Sequence, residues 1–140
     1  MPERTALASP ELSPGLVVLR QPRRDSGDSK RRPCVVISTQ GRCQDPDAAT
    51  VIVVPLTSQT DGLPRLPMPV IAADADNGLQ RTSAAMCGRI RCIRKDRLVE
   101  TLGRLNPADL RAIRLGVAAV VGLADVLLAA KVIQSSGMEN

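Results

Sequence analysis

Six basic side chains lie within seventeen residues of one another, between positions 81 and 97. They are Arg81, Arg89, Arg91, Arg94, Lys95 and Arg97, and the one acidic residue among them is Asp96. The residues before and after this basic segment each sum to zero charge, so it holds the whole net charge of +5. Because a guanidinium can donate two parallel hydrogen bonds to a phosphate, the segment favours a surface that binds a polyanion. The alternative is a solvated basic face without a ligand.

Arg89 and Arg91 stand out in the basic segment because they alternate with apolar residues. The stretch Thr82–Ile93 (TSAAMCGRIRCI) predicts a strand that places both guanidiniums on one face, with Ile90 and Cys92 on the other. Side by side on a strand, the two could contact phosphates. They could also form salt bridges or lie in a dimer interface, and both interpretations stay open.

The chain contains no His, Phe, Trp or Tyr, and these absences exclude several kinds of site. Without an imidazole there is no Ser-His-Asp triad, no histidine-pair ribonuclease chemistry and no Cys/His zinc site. Without aromatic rings, no base can be stacked on a side chain. The core must be built from Val, Leu, Ile, Ala and Met, and we expect neither a metal nor a cofactor.

The cysteines form no Cys-x-x-Cys pair, so a zinc site or redox motif is not expected. Three of them lie in apolar or alternating runs, where cysteine acts as a small hydrophobic side chain. The four are Cys34, Cys43, Cys87 and Cys92, of which Cys43 is the exception. No unbroken apolar run of the secretory type occurs at the N-terminus. Together these features predict reduced thiols and a cytoplasmic protein.

A helix start is encoded at Asn106–Asp109 (NPAD), where Asn106 can cap and Pro107 suits the first helical position. Apolar residues then recur at helical spacing as far as Leu128. We expect Gly116 and Gly122 to weaken this helix without ending it.

The stretch Leu115–Ile133 is nineteen residues long and mostly apolar, as a membrane-spanning helix would be. However, Asp125 and Lys131 would both be unfavourable in hydrocarbon. We therefore predict a packed C-terminal helix.

Strand patterns precede this helix. The strongest is Thr50–Leu56 (TVIVVPL), which is continuously apolar, as expected for a strand buried on both faces. Other strand patterns, separated by loops, occur at Gly15–Arg20, Pro33–Thr39, Met68–Ala72 and Thr82–Ile93. Five or six short strands followed by one helix predict a mainly β fold, a small barrel-like sheet with a C-terminal α-helix.

Several segments also match a known pattern in order and spacing. They are RRPCVVIST, TVIVVPLTSQ, GLPRLPMPV, SAAMCGRIRC and LGRLNPADLRAIRLGVAAVVGL, and through them the chain resembles the MazF/PemK (Kid-like) toxins of toxin–antitoxin systems. The resemblance implies an SH3-like barrel domain with a C-terminal helix over residues 15–123. Residues 1–14, which carry three prolines, are expected to form a flexible tail, and residues 124–140 a helical extension and tail.

Members of that family are mostly metal-independent, sequence-selective endoribonucleases. They cleave single-stranded RNA as symmetric homodimers and are inhibited by an acidic antitoxin. By position, the resemblance implies that Arg32 and Thr57 are catalytic. The RNA supplies its own nucleophile, the 2′-OH, while the enzyme aligns the backbone and neutralises charge on the phosphoryl oxygens. The alternatives are a surface arginine at Arg32 and a turn-satisfying hydroxyl at Thr57.

Further positions are expected to bind substrate, against the alternative that each is a solvated loop residue or a packing contact. They are Asp28, Arg31, Ser58, Gln59, Arg65, Arg89 and Arg91. The chain departs from the family where many members carry an acidic residue, since Gly88 occupies that position, and Arg89 follows where Gln is frequent. Asp28 is the carboxylate best placed to compensate, ahead of Asp25.

Two functions from different classes follow. The first is an endoribonuclease toxin that cleaves mRNA or other cellular RNA. The second is a non-catalytic protein on the same fold, either acting like the gyrase poisons through the C-terminal helix or retained to bind antitoxin. The Arg-Pro and Pro-x-Thr-Ser segments at the catalytic positions favour the nuclease.

Overall fold

The computed structural model describes residues 12–22, 30–62, 67–123 and 125–130. Within them the strands are β1 (Leu16–Arg20), β2 (Arg32–Val36), β3 (Thr50–Thr57), β4 (Val70–Ile71), β5 (Ser83–Ala85), β6 (Arg91–Arg94) and β7 (Leu98–Arg104). The helices are α1 (Gln40–Gln44) and α2 (Pro107–Val120). The mainly β fold with a C-terminal helix is thus confirmed.

The strands form one curled antiparallel sheet with β3 at its centre. One edge of β3 pairs with β2, and the other pairs first with β6 and then, through its last two residues, with β5. On the far side, β1 pairs with both β2 and β7, while β4 extends the sheet beyond β5. Strand β3 is therefore buried along most of its length, as its apolar run predicts, apart from Ile52.

Alternation along the strands divides the core into two clusters. The first contains Val18, Cys34 and Val53, and the second contains their chain neighbours together with Ile113 of α2. Successive side chains of a strand point to opposite faces, so each central strand contributes to both clusters. Helix α2 covers the second cluster, and the candidate site lies on the face that carries the first.

The predicted strand over residues 82–93 is interrupted. Strand β5 ends at Ala85, a 3-10 turn follows at Cys87–Arg89, and β6 begins at Arg91. The Cys87 thiol is buried and lies 3.6 Å from the carbonyl oxygen of Ile113 in α2. Packing of this thiol against the helix diverts the chain from the sheet for one turn. The expectation that Arg89 and Arg91 lie side by side on one strand is therefore wrong.

Helix α2 begins as predicted, since the Asn106 side chain accepts a hydrogen bond from the Asp109 N–H at 2.7 Å. It ends at Val120, because Gly122 takes a φ of +74°, which favours glycine and terminates helices. The prediction that Gly122 would not end the helix is wrong. Helical structure resumes at residues 123 and 125–130.

In the described residues, the predicted packing of the C-terminal apolar stretch is observed only within α2, where Val117 and Val120 pack against the second core cluster. Val126, Leu127 and Leu128 are each more than half exposed, so these side chains do not pack against the core. None of the described helices is both long enough and apolar enough to cross a membrane.

Three further segments differ from expectation. Leu12 is fully buried in the first core cluster, although it belongs to the predicted flexible tail; residues 1–11 of that tail lie outside the described residues. The loop expected after β2 contains α1, whose N-terminus is capped by the Thr39 hydroxyl. Cys43 within α1 is buried, whereas Cys92 is exposed.

Candidate functional site

Arg32 and Thr57 lie at the adjoining ends of neighbouring strands. Arg32 is the first residue of β2 and Thr57 the last of β3. The antiparallel register pairs Cys34 with Pro55, and continuing it by two residues places Arg32 opposite Thr57. Side chains at opposed positions of such a pair share a face. Arg32 is exposed and Thr57 half-buried, so a guanidinium and a hydroxyl meet solvent at one place on the sheet.

The Thr57 hydroxyl oxygen accepts a hydrogen bond from the Gln59 N–H at 3.2 Å. This is the turn-satisfying role weighed from the sequence, and it fixes the hydroxyl at the end of β3. A hydroxyl that accepts still has its own proton to donate. Ser58 and Gln59 are exposed beside it, and their side chains make no hydrogen bond within the described residues.

Arg20, which the sequence alone does not single out, lies beside Arg32 in this site. It is the last residue of β1 and lies directly opposite Arg32 in the β1–β2 ladder. Its side chain is half-buried, and its Nε is buried without a hydrogen-bond partner in the described structure. The sequence shows only that a charged residue ends an otherwise apolar strand. That this residue lies in the site follows from its pairing with Arg32, which the sequence does not show.

Arg91 reaches the same face from the other edge of β3. It is paired with Val53, and Val53 lies in the first core cluster together with Cys34. We call this side of β1, β2, β3 and β6 the arginine face, defined by Arg20, Arg32, Thr57 and Arg91. Arg89 does not share it through strand alternation, because it is an exposed residue of the 3-10 turn.

Burial and neighbouring positive charges shift the pKa values of side chains on and beneath the arginine face. Burial lowers the pKa of Arg20, and the positive charges of Arg91, Arg97 and Arg32 lower it further. Burial raises the pKa of the Cys34 thiol to about 12, although Arg20 and Arg91 act in the opposite direction. The thiol beneath the arginines is therefore protonated and inert at neutral pH.

The basic segment is not one continuous charged surface. Arg94 forms a 3.0 Å salt bridge with Asp96. Lys95 is buried, and its Nζ donates to two backbone carbonyl oxygens. Arg97 donates to the carbonyl oxygen of Gln21 at 2.6 Å. Three of the six cations therefore have structural partners, which leaves Arg81, Arg89 and Arg91 as the exposed basic side chains with no hydrogen bond or salt bridge in the described residues.

The remaining predicted positions are distributed as follows. Arg31 is exposed directly before β2, next to Arg32. Asp28 and Arg65 lie outside the described residues. Gly88 is exposed in the 3-10 turn beside Arg89. Among the residues that the structure describes, no three Cys, Asp or Glu side chains come together in an arrangement that could hold a metal ion.

Solved structures share this architecture. A crystal structure of MazE–MazF from Deinococcus radiodurans matches with a TM-score of 0.62 at 20% identity, covering 79% of this chain and 96% of that one. The Mycobacterium tuberculosis toxin MazF-mt6 matches with a TM-score of 0.59 at 21% identity, covering 76% and 96%. A mycobacterial endoribonuclease in complex with its cognate antitoxin matches with a TM-score of 0.57 at 24% identity, covering 79% and 93%.

The sequence itself matches a family model over residues 14–121, from the turn before β1 to the end of α2. This span contains every strand of the sheet and all the residues of the arginine face. The chain belongs to the PemK-like, MazF-like toxins of type II toxin–antitoxin systems.

Proposed function

We propose that this toxin is a metal-independent endoribonuclease that cleaves single-stranded RNA as a cytoplasmic homodimer and is inhibited by a cognate acidic antitoxin. The observation that carries the proposal is the juxtaposition of Arg32 and Thr57 at opposed positions of β2 and β3. A guanidinium and a hydroxyl on one face are the donors that a phosphodiester undergoing attack requires. Family membership supports the same activity.

The reaction is an in-line displacement at phosphorus. The 2′-oxygen forms a bond to phosphorus as its proton leaves to a base, and the bond to the 5′-oxygen breaks as that oxygen takes up a proton. The products are a 2′,3′-cyclic phosphate and a 5′-hydroxyl. Negative charge grows on the non-bridging oxygens, so donors held in place beforehand lower the barrier.

In this scheme Arg32 donates two parallel hydrogen bonds to the phosphoryl oxygens. Thr57 adds a third donor, since its oxygen is already held by the Gln59 N–H and its proton can point to the phosphate. Ser58 and the Gln59 side chain, together with Arg31, Arg65 and Arg89, are proposed to hold the flanking nucleotides. Asp28, ahead of Asp25, is proposed to bind substrate and to supply the carboxylate that Gly88 does not offer.

Cleavage of a long unstructured RNA in the presence of EDTA tests the activity. We expect cuts that leave a cyclic phosphate, and Arg32→Ala should slow them by about 10²–10³-fold, as for loss of an oxyanion-hole donor. Arg111→Ala is the matched control, because Arg111 is an exposed arginine on α2. Cleavage that stops with EDTA and returns with magnesium would contradict the proposal, as would a full rate in a folded Arg32→Ala protein.

The proposed acidic antitoxin should compete with RNA, because carboxylates and phosphates would seek the same guanidiniums. We expect addition of the antitoxin to displace a labelled oligonucleotide. Undiminished binding of both together would argue against a shared site. The homodimer is tested by sedimentation at micromolar concentration, where a monomer would count against it.

A non-catalytic binding protein is the second candidate, and one observation favours it. Val121, Leu123, Val126, Leu127 and Leu128 are all exposed on and after the end of α2, as in a surface that docks another protein. This function predicts no RNA cleavage by the purified protein. It also predicts that polar substitutions at these apolar positions abolish binding to its target, whereas Arg32→Ala does not.

A further inference from the structure

The side chain of Arg20 has an environment that the fold alone does not explain. It ends β1, faces Arg32 directly across the ladder, and its Nε is buried without an acceptor in the described structure. No salt bridge of the described residues involves it. A buried donor without a partner and two like charges at opposed positions both destabilise a folded sheet.

The arrangement becomes favourable when an anion is bound. Arg32 is paired with Arg20 across the ladder, Arg91 shares its face, and the positive charges of Arg91, Arg97 and Arg32 all lower the pKa of the Arg20 guanidinium. Of these, Arg97 is held by the carbonyl oxygen of Gln21, while Arg91 is exposed. An anion between Arg20 and Arg91 would relieve the repulsion and give the buried Nε an acceptor.

We propose that Arg20 and Arg91 form a second phosphate-binding position on the arginine face, which holds the RNA backbone phosphate next to the one contacted by Arg32. This inference rests on the proposed function for the identity of the anion. A phosphodiester fits because it carries a single charge and two accessible oxygens, which match the two parallel donors of a guanidinium. Neighbouring strands are about 4.8 Å apart, so a bound RNA strand would cross directly from Arg32 to Arg20.

An acidic peptide is the competing ligand for the same charges. RNA is favoured because the proposed second phosphate position lies next to the Arg32–Thr57 pair. The pairing of Arg20 with Arg32 places both guanidiniums on one face. The contact would be to the backbone and would therefore carry no base information.

The test measures binding of a labelled 2′-O-methyl oligoribonucleotide of mixed sequence, which cannot be cleaved because it lacks the attacking hydroxyl. Binding is followed by anisotropy over a range of salt concentrations in EDTA. Arg20→Gln should weaken binding for all sequences alike and make the salt slope shallower by about 0.7. Arg20→Lys should keep the slope while losing part of the affinity, and Arg111→Gln is the matched control with no effect on either.

A structural role is excluded by urea unfolding of the same variants. Because the proposal holds that Arg20 is unfavourable in the free protein, Arg20→Gln should be at least as stable as the parent. An unchanged salt slope, or a loss of stability or folding, would overturn it. A slope that changes with a polyglutamate probe but not with the oligonucleotide would assign Arg20 to a protein partner and overturn it too.

These outcomes are independent of those for the proposed function. Cleavage with an unaffected salt slope would support the nuclease and reject the second phosphate position. A shallower slope in a protein that cuts no RNA would reject the nuclease and keep the phosphate position.

Discussion

The ammonium group of Lys95 donates a hydrogen bond of 2.8 Å to the backbone carbonyl oxygen of Asp45, fifty residues away along the chain. A second bond, of 3.1 Å, reaches the carbonyl oxygen of Arg42 in α1. These carbonyls lie at the C-terminal end of the helix, where cations are favourable. Lys95 therefore holds the α1 segment on the sheet and is a structural residue within the basic segment.

Lys95→Met should lower the free energy of unfolding by about 2 kcal/mol, because two carbonyls lose a charged donor and the side chain is buried. Urea unfolding measures this change. The salt slope of RNA binding should stay the same, since Lys95 faces no ligand. A shallower slope in a stable variant would return Lys95 to the binding surface.

Gly116 allows α2 to approach the turn at Cys87. A Cβ at this position would lie 2.6 Å from the Cys87 Sγ, so Gly116→Ala should destabilise the protein by about 1–3 kcal/mol. In an uncrowded helix the same change stabilises the protein by up to about 1 kcal/mol. The sign of the change in unfolding free energy therefore shows whether the site is crowded. Gly41→Ala in α1 is the matched control, because its Cβ would meet nothing within 4 Å. Equal effects of the two substitutions in thermal melts would contradict the close approach.

Cys34 predicts a loss of stability at alkaline pH. Its pKa rises from 9.0 to about 12 on folding because the thiol is buried. A raised folded-state pKa means that stability is complete below pH 9 and is lost as the pH rises toward 12, by about 1.4 kcal/mol per pH unit. Burial raises the pKa of Cys43 and Cys87 in the same direction.

Urea unfolding between pH 8 and 10.5, with reductant present, measures this loss. Cys34→Ala should flatten the alkaline decline, although it lowers stability at neutral pH. Cys92→Ala is the control for loss of an exposed thiol. In the native protein only Cys92 should react rapidly with a thiol reagent, and fast modification of Cys34 would disprove its burial.

Arg91 and Arg89 should behave differently in RNA binding, because only Arg91 lies on the arginine face. Arg91→Gln should weaken binding for all sequences and make the salt slope shallower by about 0.7. Arg89, exposed in the 3-10 turn, can contact a phosphate or read guanine, to which arginine is well suited. Sequencing of the cut ends decides between these roles, since a changed cleavage motif in Arg89→Gln shows base reading. Unchanged salt slopes in both variants would show that neither residue meets the RNA.

The parts of the fold that the sequence predicted are those fixed by local chemistry. The apolar run of β3 has one stable environment, the centre of a sheet. Likewise, Asn106 and Pro107 define the start of α2 through contacts within four residues. The position of Thr57 followed in turn, because it comes directly after the predicted strand Thr50–Leu56 and is the last residue of β3.

The parts that were missed depend on pairing between distant segments. Lys95 and Arg91 have the same charge in sequence, but α1 buries one and leaves the other on the arginine face. Arg20 belongs to residues 1–80, which have no net charge. Only its pairing with Arg32 across the β1–β2 ladder shows that it lies in the candidate site. The interruption of the strand at Cys87 arises from a helix that begins twenty residues later.

The pairing of β1 with β7 has a consequence for synthesis of the toxin. Arg20 sits opposite Leu98 on one side and Arg32 on the other, so its strand has both neighbours only after β7 has been made. The chain leaves the ribosome from its N-terminus at about 5–20 residues per second, and β1 waits several seconds for its second partner. Arg91 of the same face also comes late, in β6. A nascent chain therefore completes the arginine face only after β6 and β7 have been made, which separates synthesis of its first strands from assembly of the candidate site.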